Sequence, residues 1–262
     1  MHNTGCFTMV AVLVLILLLG FAAGCSAPEA LPTGVCAGAL GTKVEKVMQK
    51  DPVILRSDWD PGTPREPAPE IATVTDDWLI LVNKTHPLSK EYAPSDMVRI
   101  QYCVGDHAES MRYMRPEAAE HFHQMAEAAV QIGYEIGIRT AYRSYAQQYN
   151  IFYSYVARDG EEAANKYSAR PGQSEHQTGL SADVTSPSVN YEMTTDYGQA
   201  PEGIWLAENA HRFGFIIRYP LGKEAITGYQ YEPWHVRYVG AEAAAEIYER
   251  GITLEEYLGE VE

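Results

Sequence analysis

Two short stretches, far apart along the chain, carry the residues that most restrict how this sequence can fold. The first, residues 173–183, places His176 seven positions before Asp183, and the second places Glu232 three positions before His235. Two imidazoles and one carboxylate are sufficient to bind a zinc ion and to leave one coordination position free for water. A fold that joins these stretches would also make Glu232 available as a proton carrier.

The size and charge of the chain restrict its class. It has 262 residues, of which 46% are hydrophobic, so it can form a substantial core. Its 20 Lys and Arg residues against 35 Asp and Glu residues give a formal net charge of −15. This charge argues against nucleic acid or anionic lipid headgroups as partners, because both attract a positive surface.

The N-terminal segment resembles a bacterial lipoprotein signal. The apolar run at residues 9–21 is shorter than the ~20 residues of a membrane-spanning helix, and small residues lead from it to Cys25. We expect cleavage before Cys25, a lipid attached to its sulfur, and an extracytoplasmic protein anchored to the cell membrane. An uncleaved anchor is the alternative, because no Lys or Arg precedes the run and Ala22 stands where Leu is commoner.

Composition divides the chain into three segments. Residues 1–24 form the expected signal peptide, residues 25–77 an extended tether rich in proline, and residues 78–262 the catalytic domain. Beyond the signal, Cys36 and Cys103 could pair in an oxidising compartment, but the sequence leaves this open because pairing depends on geometry.

The order of predicted elements indicates an α+β fold with a central antiparallel sheet flanked by helices, because no regular βαβ alternation occurs. Arg143 lies where a predicted strand gives way to a helix capped by Ser144, and such rigid surroundings suit a catalytic cation, although a solvated arginine is the alternative. The predicted helices are 116–132, 145–157, 205–212 and 241–250, and the predicted strands are 78–82, 134–140, 180–184, 215–218 and 234–239.

The motifs around these residues resemble the VanY-type D-alanyl-D-alanine carboxypeptidases. This group belongs to the zinc D-Ala-D-Ala metallopeptidases, which include VanX-like dipeptidases and L,D-carboxypeptidases and share the Hedgehog/DD-peptidase fold. The resemblance covers roughly residues 78–240 and departs from the family at Ser181, where Ala is usual. Its motifs are Tyr142-Arg143-Ser144-Tyr145 with Gln148, Ser168-Ala169-Arg170-Pro171-Gly172, Ser174-x-His176-x-x-Gly179-x-Ser181-x-Asp183, and Glu232-x-Trp234-His235-x-Arg237-Tyr238.

Matched position by position, the resemblance implies a role for each residue of the site. His176, Asp183 and His235 would bind one zinc ion per chain. Glu232 would be the catalytic base, and Arg143 would steady the reacting carbonyl. Arginine suits that role because its planar guanidinium stays charged.

The resemblance also suggests substrate contacts and an activity. Ser174 and Gln148 become candidates for binding substrate. The implied reaction is the zinc-dependent removal of the C-terminal D-alanine from peptidoglycan stem peptides, by a protein expected to act as a monomer. Whether the role is wall maturation or glycopeptide resistance is left open.

Three other activities remain open at this point. An L,D-carboxypeptidase would trim the tetrapeptide stem, and an endopeptidase would cut inside the cross-bridge. A lipoprotein that only binds wall peptides would use zinc structurally. Glu232 argues against this last alternative, because a structural zinc site is usually closed by four protein ligands and needs no free base.

Overall fold

The structure, a computed structural model, describes residues 78–106 and 108–261. The predictions of a signal peptide, of lipid attachment at Cys25, of a tether, and of pairing between Cys36 and Cys103 depend on positions outside these residues. Among the helices in the described ranges, none is both long and apolar enough to cross a membrane.

The strands confirm the predicted antiparallel sheet. They are β1 (Val98–Arg99), β2 (Tyr113–Met114), β3 (Gly137–Thr140), β4 (Ser181–Thr185), β5 (Phe215–Tyr219) and β6 (Glu232–Tyr238). The first two form a small ribbon, and the other four form an antiparallel sheet in the order β3-β4-β6-β5. The two central strands, β4 and β6, carry Asp183 and His235, so the predicted ligands lie in the middle of the sheet.

The helices pack around this sheet. They are α1 (Pro116–Gln131), α2 (Tyr145–Asp159), α3 (Glu161–Tyr167), α4 (Pro201–Asn209), α5 (Glu224–Thr227), α6 (Ala241–Arg250) and α7 (Leu254–Leu258). On α1, Phe122, Met125 and Ala129 repeat at three- and four-residue steps and are buried. They belong to the same hydrophobic core as Val184 and Val236 of the sheet, and the α+β class is therefore confirmed.

The start of α2 is fixed by a capping box at the predicted residue. Ser144 Oγ accepts a hydrogen bond from the Gln147 backbone N–H at 3.2 Å, and Gln147 Oε1 accepts one from the Ser144 backbone N–H at 2.8 Å. The ends of the other predicted elements shift by a few residues. The helix predicted from residue 205 begins at Pro201, because proline is favoured in the first turn.

The strand predicted at residues 78–82 is wrong, although the segment is buried. Ile80 and Val82 lie in the main core, but the segment joins no strand pair. Instead, Arg237 Nη2 donates hydrogen bonds to the carbonyl oxygens of Trp78 and Ile80, at 2.9 and 2.7 Å. A guanidinium group thus satisfies carbonyls that a neighbouring strand would otherwise satisfy, which an apolar run of sequence cannot reveal.

Candidate metal centre

The fold brings the three predicted metal ligands into one buried cluster. One ligand atom from each of His176, Asp183 and His235 lies within 4.8 Å of the other two. The three residues are only 1%, 3% and 4% exposed. Within the described part of the chain, this is the one such grouping of three or more His, Cys, Asp or Glu residues.

His176 is held with one nitrogen facing away from the cluster. It lies on the short 3₁₀ helix Glu175–Thr178, which Gly179 ends in the left-handed conformation (φ 71°). Its Nδ1 donates to the Ala141 carbonyl oxygen at 2.5 Å, so the hydrogen of the neutral ring belongs on Nδ1. Nε2 then carries no hydrogen, so its lone pair is available to bind a metal ion, and it lies 3.3 Å from Asp183 Oδ2. Burial and the nearby Arg143 lower the pKa of His176 to about 4, which keeps the ring neutral at physiological pH.

Asp183 and His235 form the other half of the cluster. His235 Nδ1 lies 3.1 Å from Asp183 Oδ1, and its Nε2 lies 3.4 Å from Glu175 Oε2. Burial opposes a charge on His235, but its hydrogen bonds to Asp183 and Glu175 outweigh burial and raise its pKa to about 9. The metal-free cluster therefore holds a proton on His235, which a metal ion has to displace.

Glu232 lies beside the cluster rather than within it. Its Oε2 is 3.8 Å from His235 Nδ1, beyond hydrogen-bonding distance. Burial raises the pKa of Glu232 to about 7, and the positive charge of His235 only partly offsets this effect. A carboxyl group with such a pKa can take and return a proton near neutral pH.

Arg143 faces the cluster from the loop before α2. Its backbone N–H donates to the His176 carbonyl oxygen at 3.2 Å, and its Nη2 lies 3.7 Å from Asp183 Oδ2. Its Nε is buried and has no hydrogen-bond partner among the described residues. Arg143 is therefore not the solvated residue of the alternative interpretation, and it retains a free donor.

The two candidate substrate contacts are also buried. Gln148, one turn into α2, donates through Nε2 to the Ala169 carbonyl oxygen at 2.6 Å, while its Oε1 is buried and unpartnered among the described residues. This bond joins two of the sequence motifs. Ser174 is 3% exposed and immediately precedes the 3₁₀ helix that carries His176.

Behind His235 lies a buried charge network that the sequence analysis missed. Glu175 Oε1 accepts hydrogen bonds from Arg218 Nε at 2.6 Å and from Arg237 Nη1 at 2.7 Å. Arg218 also donates twice to Glu255, at 2.8 and 2.6 Å. All four residues are at most 2% exposed. The sequence did contain one signal of this network, the charged residue Arg218 within an otherwise apolar strand. A charge at such a position indicates a buried partner of opposite charge, because buried charges require partners.

The donor set fits a zinc ion. Two imidazole nitrogens and a carboxylate oxygen are usual ligands of zinc in hydrolytic sites, which keep a fourth position open. Nε2 of His176 is such a ligand atom: it is buried, has no hydrogen-bond partner among the described residues, and lies 3.3 Å from Asp183 Oδ2. His176, Asp183 and His235 could therefore hold the ion, and Glu232 would remain free beside it.

The sequence profile of the VanY family, described as D-alanyl-D-alanine carboxypeptidase, matches residues 111–241. The protein YodJ of Bacillus subtilis (strain 168) is 45% identical over 185 residues, which are 70% of this chain and 67% of YodJ.

Two similar solved structures carry related activities. The L,D-carboxypeptidase LdcB matches with a TM-score of 0.68 and 42% identity, over 74% of this chain and 95% of the LdcB chain. The D,D-pentapeptidase VanY of the VanB-type vancomycin resistance cassette, solved in complex with Zn(II), matches with a TM-score of 0.57 and 33% identity, over 70% of this chain and 99% of the VanY chain. The fold is thus that of the zinc D-Ala-D-Ala metallopeptidases, and this chain belongs to the VanY family of D-alanyl-D-alanine carboxypeptidases.

Proposed function

We propose that this protein is a zinc-dependent carboxypeptidase that removes the C-terminal D-alanine from peptidoglycan stem peptides. The observation that carries the proposal is the buried cluster of His176, Asp183 and His235, with Glu232 beside it and outside it. A related VanY was solved with Zn(II), which supports zinc as the ion. We propose one ion per chain, held by these three residues.

Glu232 is proposed as the general base. A zinc ion in the cluster would polarise the carbonyl of the scissile amide and increase the acidity of water. Glu232, with a pKa raised to about 7, is substantially ionised at neutral pH and can accept a proton from the attacking water. The same carboxyl group can then protonate the departing amine of D-alanine.

Arg143 is proposed to stabilise the negative charge that develops on the carbonyl oxygen. Its guanidinium faces the cluster at 3.7 Å from Asp183 Oδ2, and its Nε is unpaired among the described residues. A fixed donor of this kind acts without reorganisation during the reaction. The hydrogen bond from the Arg143 backbone to His176 keeps this donor at a constant place relative to the site.

Ser174 and Gln148 are proposed to contact the stem peptide. The buried Oε1 of Gln148 is an acceptor without a partner among the described residues, and an amide N–H of the peptide would satisfy it. The Gln148 side chain cannot turn away easily, because its Nε2 is bound to the Ala169 carbonyl oxygen.

An L,D-carboxypeptidase activity is the second candidate. LdcB has both a higher TM-score and a higher identity with this chain than the zinc-bound VanY does. Both activities release a terminal D-alanine, so the same ligand cluster, base and arginine would serve either. The difference lies in the configuration of the residue on the carbonyl side of the scissile bond.

Digestion of purified muropeptides tests this proposal and separates the candidates. Pentapeptide and tetrapeptide stems would be incubated with the zinc-loaded protein, with and without a chelator, and the products weighed by mass spectrometry. Loss of one alanine from the pentapeptide supports the D,D activity, and loss from the tetrapeptide supports the L,D activity. Internal fragments would indicate an endopeptidase, whereas no cleavage of any muropeptide by zinc-loaded protein would refute catalysis.

We also propose that the protein acts outside the cell membrane, attached through a lipid on Cys25. The apolar run before Cys25 supports this, and stem peptides are found in the cell wall. Cells that express the full chain would be labelled with a clickable fatty acid. The parent should incorporate the label and Cys25→Ser should not, and equal labelling of the two would disprove the anchor.

A further inference from the structure

One member of the charge network behind His235, Glu175, also contacts the histidine ring, which an ion pair that only stabilised the fold would not need to do. The ring of His235 has a carboxylate at each nitrogen, with Asp183 on the Nδ1 side at 3.1 Å and Glu175 on the Nε2 side at 3.4 Å. We infer that Glu175 is a positioning residue, which fixes the ring orientation and tautomer of His235 so that Nδ1 is presented to the metal. This inference depends on the proposed zinc site.

The tautomer follows from what each group can donate. An ionised carboxylate only accepts hydrogen bonds, and a neutral imidazole carries one N–H. Both ring nitrogens of His235 face a carboxylate, so if a metal ion displaced the hydrogen on the Asp183 side, the hydrogen that remained would lie on Nε2, toward Glu175. The lone pair on Nδ1 then faces Asp183, where the other ligand atoms converge.

Hydrogen bonds to both carboxylate oxygens fix the position of the Glu175 side chain. Its Oε1 accepts from both Arg218 and Arg237, and its Oε2 also accepts from Ser181 Oγ at 3.1 Å. Arg237 in turn is bound to the carbonyl oxygens of Trp78 and Ile80. The oxygen that meets His235 thus has a fixed position.

The charges of the network keep Glu175 an acceptor. Two arginines face two glutamates, Glu175 and Glu255, so the buried group of four is neutral overall. Oε1 of Glu175 accepts from both arginines and Oε2 accepts from Ser181, so both oxygens of this carboxylate act as acceptors.

The two histidines of the cluster are fixed in the same manner by different acceptors. His176 gives its Nδ1 hydrogen to the Ala141 carbonyl oxygen and keeps Nε2 for the metal. With a metal bound, His235 would give its Nε2 hydrogen to Glu175 and keep Nδ1 for the metal. Outer acceptors of this kind commonly orient metal-binding histidines and raise their basicity.

Replacement of Glu175 by glutamine should reverse the tautomer. The two arginines can only donate, so they would attract the amide oxygen of the new side chain and turn its NH₂ group toward His235. Nε2 of His235 would then have to accept, and the hydrogen would move to Nδ1, where it competes with the metal. The expected result is zinc affinity weaker by about 10- to 100-fold, measured by competition with a chelator.

Glu255→Gln is the matched control, because it removes one buried negative charge from the same arginine, Arg218, without touching His235. Its zinc affinity should remain within about threefold of the parent, since it does not share the His235 contact. Equal losses in the two variants, or no loss in Glu175→Gln, would overturn the positioning role. Thermal unfolding of both variants without metal reports whether they fold.

Two further measurements do not depend on the stability of Glu175→Gln. Glu175→Asp keeps the charge but shortens the side chain, and it should lower zinc affinity about tenfold because the carboxylate recedes from Nε2. In the zinc-loaded parent, nitrogen and proton NMR should find the His235 ring hydrogen on Nε2. A hydrogen on Nδ1 would refute the inference. A parent that binds no zinc would instead refute the proposed function.

Discussion

Asp183 and His235 stand directly opposite one another on the two central strands, with Asp183 Oδ1 3.1 Å from His235 Nδ1. Directly paired residues on antiparallel strands point to the same face of a sheet. A slip of one residue in the register would move one of the two side chains to the other face. The register of β4 against β6 therefore brings together two of the proposed ligands, which lie far apart along the chain.

Asp183→Asn should abolish stoichiometric zinc binding. The amide lacks the negative charge that the ion requires, while the side-chain volume is nearly unchanged, so the fold should persist. The loss of zinc affinity should exceed the roughly 10- to 100-fold cost of removing an outer-shell partner. Equilibrium dialysis followed by metal analysis measures this. Asp196→Asn, at an exposed position, is the control and should bind zinc as the parent does, whereas full binding by Asp183→Asn would exclude Asp183 as a ligand.

Glu232→Gln should separate metal binding from hydrolysis. Its carboxylate is 3.8 Å from His235 Nδ1 and outside the ligand cluster, so zinc stoichiometry should stay the same. Loss of a positioned base typically costs about 10²- to 10⁴-fold in rate, and kcat on the muropeptide substrate should fall accordingly. The exposed substitution Glu242→Gln should have no effect on kcat. Parent-like turnover by Glu232→Gln would remove Glu232 from the mechanism.

Arg143→Lys should reduce kcat while preserving zinc affinity. Lysine keeps the positive charge, but it lacks the planar guanidinium, whose Nε has no partner in the described part of the chain and whose Nη2 lies 3.7 Å from Asp183 Oδ2. Removal of a donor to a developing oxyanion costs about 10²- to 10³-fold in kcat. Steady-state kinetics would be compared with those of Arg158→Lys, a substitution on the solvent-exposed side of α2. If both variants turn over at the same rate, Arg143 does not stabilise the reacting carbonyl.

Ser144→Ala should lower stability without removing the metal site. The substitution breaks the capping box at the start of α2, which costs about 1 kcal/mol in the free energy of unfolding. For a domain of this size the melting temperature should fall by about 2–4 °C, measured by calorimetry on metal-free protein. Ser154→Ala, in the middle of the same helix, should leave the melting temperature unchanged or slightly higher, because alanine favours the helix interior. Similar losses in both would mean that the cap contributes nothing.

The residues of the buried His-Asp-His cluster and the α+β class were predictable because their signals are local. The spacing of His176 and Asp183, and of Glu232 and His235, can be read within a few residues of sequence. The start of α4 was predicted four residues too late. The prediction followed the apolar pattern from residue 205, whereas the helix begins at Pro201, because proline is favoured in the first turn of a helix.

The network around Glu175 was not predictable in the same way. Its arginine partners lie 43 and 62 residues away along the chain, and their approach depends on strand register and packing. The wrong prediction of a strand at residues 78–82 has the same cause. The carbonyl groups of this segment are bound by Arg237 of β6, which lies 157 and 159 positions away along the chain. Periodicity shows that a segment is buried, but it does not show which distant group satisfies its polar atoms.

Zinc affinity should rise with pH, because the metal has to displace a proton from His235. Burial lowers the pKa of that residue, but Asp183 and Glu175 outweigh burial and raise it to about 9 in the metal-free protein. His176, with a pKa lowered to about 4, is already neutral and releases nothing at pH 7. Below pH 9 the apparent zinc affinity should therefore fall about tenfold for each unit by which the pH is lowered. Zinc binding at pH 7 should release about one proton from the imidazoles, in addition to any released by Glu232.

Calorimetric titrations in buffers with different ionisation enthalpies would count the protons released on zinc binding, and chelator competition between pH 6 and pH 8 would give the slope of affinity against pH. Glu232→Gln isolates the imidazole contribution, and an affinity independent of pH in that variant would show that His235 does not carry the displaced proton.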